Sequence, residues 1–134
     1  VIVVSVGRLR PPYADDVAHY RQLLSRHVRL EEIELREDAA ARRRVPERAF
    51  TVLLDAGGRQ LESEAFARWL EERRQDGREL AFVIGGPFGA PGLDRVDLRL
   101  SLGPMTLPHQ LARVVLLEQL YRGHRILAGE PYHN

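Results

Sequence analysis

The sequence predicts an α/β domain with a mainly parallel sheet and helices on both of its faces. Two observations carry that expectation. Short, nearly uninterrupted apolar runs alternate with amphipathic helical stretches along the chain. Loops rich in glycine or proline, at 54–58, 85–92 and 103–108, follow three of those runs. Continuous apolar runs suit strands covered on both faces, and strand–helix alternation suits parallel crossovers. A length of 134 residues makes one domain, spanning 1–134.

Residues 1–6 are apolar apart from Ser5 and close on Gly7, which reads as a buried first strand. Pro11 and Pro12 open a helix at a position proline tolerates. Its apolar side carries Tyr13, Val17, Tyr20 and Leu24, and it is expected to end near His27. Residues 28–35 alternate in part and form a second strand. Residues 36–48 hold little apolar content and include Arg42, Arg43 and Arg44; they read as a solvated linker or as an arginine patch for RNA phosphate. Residues 50–54 are the third strand, closed by Asp55, with Gly57 and Gly58 as a turn. Ser63 is placed to cap a helix with the buried stripe Leu61, Ala65, Phe66, Trp69 and Leu70, ended by Gly77. Residues 80–84 and 98–102 are the fourth and fifth strands. Pro108 starts a last helix running to about Arg125. On it, Leu111, Val114, Val115, Leu117 and Tyr121 are expected to face the sheet, and Leu116 and Leu120 to point elsewhere, against a second subunit.

Composition removes several chemistries. The 20 basic residues are all arginine and oppose 19 acidic ones, for a formal charge of +1. A strongly basic tail is thus not the means of holding nucleic acid, although a local basic face remains open. Without lysine there is neither a Schiff-base lysine nor a P-loop lysine. Without cysteine there is no disulfide, thiolate nucleophile or cysteine metal site. Asparagine occurs only as Asn134, which with the missing lysine reads as coding bias toward GC-rich codons. No apolar run is long enough to span a membrane, and the opening Val-Ile-Val-Val-Ser-Val-Gly reads as a strand and not a signal peptide. A cytoplasmic protein is expected.

Ligands of parallel α/β sheets bind beyond the carboxyl ends of the strands, which points to the three loops. Gly85-Gly86-Pro87-Phe88-Gly89 suits either close approach of a ligand to the backbone or a plain tight turn. It matches neither a dinucleotide fingerprint nor a P-loop. Residues 103–108 offer few polar side chains, so they suit recognition of an adenine edge by backbone amides and carbonyls, or a connector stiffened by two prolines. His109 and Arg113 lie one helical turn apart, as do Glu118 and Arg122, so Arg122 also fits a simple helix ion pair. No His-x₃-His pair and no Ser-His-Asp set declares itself, which disfavours metal catalysis and a serine hydrolase.

Four blocks then stand in a telling order: Ile84-Gly85-Gly86-Pro87-Phe88-Gly89, Leu102 through His109 with its Thr-Leu-Pro-His, Tyr121-Arg122, and Pro131-Tyr132-His133. Together they resemble the SPOUT-type ribosomal RNA large-subunit methyltransferase H family, the pseudouridine N3 methyltransferases. The resemblance covers nearly the whole chain and is strongest after residue 50. It implies a C-terminal trefoil knot, which sequence patterning would not propose. It implies a homodimer that binds S-adenosylmethionine, uses no metal, and acts on 23S rRNA in assembled ribosomes, with neither a membrane nor DNA as a partner. The implied cofactor residues are Leu54, Gly86, Gly103, Pro104, Met105, Thr106, Leu107 and Pro108. The implied catalytic residues are His109, Arg122, Tyr132 and His133: the tail orients the base or handles the N3 proton, Arg122 meets negative charge, and His109 supports the cofactor loop. The chain departs from the family pattern at Phe88, where glutamate is frequent, and at Asn134, where arginine is common. Rival readings are another knotted RNA methyltransferase, a non-catalytic RNA- or ribosome-binding α/β domain, and a flavodoxin-like nucleotide binder.

Overall fold

A computed structural model describes residues 1–36, 44–85, 93 and 95–131. Five parallel strands form one sheet: β1 (Ile2–Val6), β2 (Glu31–Leu35), β3 (Phe50–Gln60), β4 (Leu80–Ile84) and β5 (Leu98–Ser101). Their order is β2-β1-β4-β3-β5. The two most apolar runs, β1 (broken only by Ser5) and β4, lie side by side and are buried at every position. β2 and β5, with charged residues in their sequences, take the edges. The parallel α/β class expected from the sequence is therefore the class observed.

Three helices are described: α1 (Tyr13–Leu24), α2 (Ser63–Asp76) and α3 (His109–Leu127). All three pack on one face of the sheet, where Val3, Val52, Phe82 and Leu100 meet Val17, Leu24, Phe66, Leu70, Leu116 and Leu120. Trp69 stacks on Phe66 with ring centroids 5.6 Å apart, and Phe82 meets both rings edge-on. The opposite face buries Ile2, Val4, Val6, Ile33, Leu53 and Val83. Among the described residues it is covered by Val45, Ala49, Leu93 and Val96 and by no described helix.

The structure corrects the orientation expected for α3. Leu116 and Leu120 are fully buried in the core, whereas Leu111, Val114 and Val115 are only half-buried. The reason is that α3 lies between α1 and α2 while also touching β1 and β4. Neighbouring helices of the same chain therefore cover much of its broad apolar surface.

Two boundaries also move. α1 stops at Leu24 and β2 begins at Glu31, because the backbone N–H groups of His27 and Val28 both fold back on the Leu24 carbonyl. β3 does not end at Leu54 but runs on to Gln60, with Leu54 and Arg59 both in register with Leu100. Residues 55–58 thus form a bulge in place of the expected glycine turn. Gly58 permits it: a Cβ there would lie 2.6 Å from the Arg99 carbonyl oxygen. Ser63 is not the cap of α2. Glu62 holds that position without a side-chain cap bond, and the Ser63 hydroxyl instead reaches Gln119 Oε1 at 2.8 Å.

Candidate cofactor cleft

The carboxyl ends of β3, β4 and β5 open onto a cleft of about 600 Å³. That is a size suited to a small organic ligand. Of the residues expected to hold a cofactor, Leu54, Gly103, Met105, Thr106, Leu107 and Pro108 line it. Pro104 sits in the same loop, exposed, and is not on the wall. Gly86, Tyr132 and His133 lie outside the described residues, as do Arg42, Arg43 and the segments 86–92 and 132–134 on which the expected knot turns.

Backbone makes much of the wall, and a single hydroxyl braces it. Ser101 is almost wholly buried at the end of β5. Its Oγ lies 2.8 Å from the Gly103 carbonyl and 3.0 Å from the Ala56 carbonyl, and it accepts the Gly103 N–H at 3.0 Å. It therefore ties the 103–108 loop to the bulge of β3. Gly103 follows with φ +137°, a conformation that side chains other than glycine rarely adopt, and a Cβ there would meet nothing within 4 Å. The loop turns sharply and keeps its backbone open.

His109 begins α3 and also lines the cleft. Its ring rests against Gly7, in the β1–α1 connection: a Cβ at that position, where φ is +98°, would come 2.8 Å from His109 Nε2. Next to it, the Arg10 N–H donates to Gln110 Oε1 at 2.7 Å. One turn on, the guanidinium of Arg113 is buried and donates to Glu32 Oε1 and Glu34 Oε2, each at 2.7 Å. Arg21 of α1 bonds Glu32 as well. Burial alone raises the Glu32 carboxyl, but the hydrogen bonds from Arg21 and Arg113 outweigh it and hold that group below its ordinary range. The amino end of α3, and so one wall of the cleft, is fixed to β1, β2 and α1.

Arg122 is placed elsewhere. It lies about 20 Å beyond His109 along α3 at 1.5 Å per residue, and its guanidinium pairs with Glu118 at 3.4 Å. Within one chain it does not join the cleft wall.

The residue-level reading missed Ile84, Leu102 and Ala112, which supply apolar wall, and Asp55, the only carboxylate among the described lining residues. The Asp55 side chain accepts from the Gly57 N–H at 2.9 Å and from Arg99 at 3.1 Å. Its position at the carboxyl end of an apolar run was the available signal. Among the described residues there is no group of acidic or histidine side chains able to hold a metal, and no helix long and apolar enough to cross a membrane.

A parallel α/β sheet whose ligand cleft is built from backbone at the carboxyl ends of its strands has the form of a cofactor-binding domain. Residues 1–133 match the family described as "Predicted SPOUT methyltransferase". Proteins named Ribosomal RNA large subunit methyltransferase H align over nearly the whole chain. The one from Solidesulfovibrio magneticus is 46% identical, with 98% of this chain and 97% of that protein covered. The Rhodospirillum centenum protein is 44% identical, covering 98% and 96%. The Gemmatimonas aurantiaca protein is 43% identical, covering 95% and 84%. The chain belongs to the ribosomal RNA large-subunit methyltransferase H family of SPOUT methyltransferases.

Proposed function

We propose that this chain is an S-adenosylmethionine-dependent methyltransferase that methylates N3 of a pseudouridine in 23S rRNA of the assembled ribosome. The observation that carries the reading is the cleft wall made by residues 103–108, where backbone and mostly apolar side chains face a space of about 600 Å³. Those residues fit a nucleoside-bearing cofactor: Gly103 leaves its backbone open, while Leu102, Leu107 and Ile84 provide apolar contact for an adenine ring. S-adenosylmethionine supplies an electrophilic methyl group on a sulfonium. Leu54, Gly86, Gly103, Met105, Thr106, Leu107 and Pro108 hold it, with Pro104 stiffening the loop from outside. His109, seated on Gly7, keeps the start of α3 against that loop.

N3 of pseudouridine carries a weakly acidic imide proton, which must leave for the nitrogen to attack well. Tyr132 and His133 orient the base and take up or relay that proton. Arg122 meets the negative charge that develops, or a phosphate of the RNA. Because Arg122 stands about 20 Å along α3 from His109, it serves a cleft other than its own in a homodimer. Correct alignment of N3 with the sulfonium supplies much of the rate.

The test is transfer of labelled methyl from S-adenosylmethionine to ribosomes from a strain lacking the modification, with isolated large subunits and naked rRNA in parallel. Mass spectrometry then identifies the nucleoside. N3-methylpseudouridine formed on intact ribosomes is the expected product. Label on another nucleotide moves the function to a different RNA target. Cofactor binding without transfer to any of the three RNAs overturns the proposed reaction.

A further inference from the structure

Beside the cleft, the carboxyl ends of β1 and β2 form a second recess, lined by Gly7, Arg8, Glu34, Leu35 and Arg36. Its floor is closed by the Gly7 N–H donating to the Leu35 carbonyl at 2.8 Å. Arg8 and Arg36 are both exposed, and among the described residues neither guanidinium has an ion-pair or hydrogen-bond partner. Among the described residues the single acid lining the recess is Glu34, and its carboxylate is bonded by the buried Arg113. Around it, Glu32 and Glu34 are balanced by Arg21 and Arg113. Among the described residues two cations are therefore left over in one concavity, in a chain whose net charge is only +1. Among the described residues the recess meets the cleft where Gly7, which lines the recess, contacts His109, which lines the cleft.

We propose that this recess is a phosphate subsite, in which Arg8 and Arg36 grip the RNA backbone next to the nucleotide presented to the cleft. This rests on the RNA methyltransferase reading above and adds to it the place where the strand is held. Guanidinium groups free of protein partners suit phosphate oxygens, which accept their paired N–H donors. A nearly neutral protein needs such local charge, because phosphate neutralisation dominates RNA affinity. The apolar and backbone wall of the cleft recognises the cofactor, and the adjoining cations recognise the polymer. The recess is thus separate in chemistry from the cofactor site although next to it in space.

The test is steady-state methyl transfer to ribosomes by Arg8→Ala, Arg36→Ala and the double variant, at several salt concentrations. S-adenosylmethionine binding is measured alongside by calorimetry. Arg68→Ala, an exposed position on α2, serves as the charge-loss control. The double variant is expected to raise KM for ribosomes about tenfold or more while kcat and cofactor affinity hold. The log–log dependence of 1/KM on salt should become shallower by about one unit per arginine removed. Arg8→Lys with Arg36→Lys should restore much of the affinity, and Arg68→Ala should match the wild type. An unchanged KM and salt slope, with the wild type active, overturns the subsite alone. Loss of cofactor affinity assigns the recess to the cofactor site instead. A raised KM with an unchanged salt slope points to a ribosomal protein as the contact and also overturns it. A wild type inactive on every RNA removes the parent reading and this inference with it.

Discussion

The Ser101 hydroxyl serves three backbone groups, on two segments that do not otherwise share a strand register: the Ala56 carbonyl in the bulge and both polar groups of Gly103. Ser101→Ala leaves them short of a partner at the part-buried wall of the cleft. A lost hydrogen bond of this kind costs about 1–2 kcal/mol of stability. Because the freed backbone is the cleft wall, S-adenosylmethionine affinity should fall with it, by roughly three- to tenfold on the same energy scale. Calorimetric titration of the variant with the cofactor checks this. A stability loss with cofactor affinity intact would mean that Ser101 braces the fold without shaping the cleft.

The amino end of α3 is anchored at a distance. Arg113 reaches Glu32 and Glu34 on the edge strand β2, and Arg21 of α1 shares Glu32. Arg113→Met keeps the length of the side chain and removes its charge. The expected cost is about 2–3 kcal/mol, below the roughly 3–5 kcal/mol for breaking a fully buried pair, because Glu34 is 40% exposed and Glu32 retains Arg21. Urea unfolding measures it, and adding Glu34→Gln should recover part of the loss; a change under about 0.5 kcal/mol would show the cluster to be ornamental. This same anchor shows where sequence reading stops. The strands were legible because burial on both faces writes an uninterrupted apolar run, and the cleft was legible because its loops follow such runs. The partners of Arg113 stand some eighty residues away, and no local spacing announces them. Leu116 and Leu120 were misplaced for a related reason: a wide apolar surface shows that a helix is covered twice, not that α1 and α2 supply the cover. The bulge at residues 55–58 looked like a glycine turn because Gly57-Gly58 suits both, and only the closeness of the Arg99 backbone to Gly58 separates them. Ser101 and Gly7 were read as strand and turn residues, since their contacts with the loop and with His109 exist only after folding.

α3 spans the molecule, and its two ends answer to different conditions. Its amino end borders the cleft, whereas near its carboxyl end His124 packs beside His27 with ring centroids 6.3 Å apart, and His27 meets Tyr121 edge-on. His124 Nε2 is buried and has no hydrogen-bond partner among the described residues. Burial first, and then the charge of His27, push the His124 pKa below the ordinary histidine value of 6.5, with Glu71 working weakly the other way. The unfolded chain therefore binds a proton at His124 more readily than the folded one does. Stability from this group is fully present above about pH 6.5, and it is lost as pH falls from there through the lower folded pKa. The depressed Glu32 carboxyl acts in the same direction in a more acidic window, below its ordinary value of 4.5. Thermal unfolding should show Tm dropping between pH 8 and pH 5.5, with a further fall below about pH 4.5. His124→Gln, which cannot titrate, should flatten the first limb and leave the second. Cofactor affinity measured at pH 8 and pH 6 on the still-folded protein should track neither, because His124 lies at the far end of α3 from the residues that line the cleft. If His124→Gln keeps the full fall of Tm between pH 8 and pH 5.5, that proton is taken up elsewhere in the chain and this account of the helix fails.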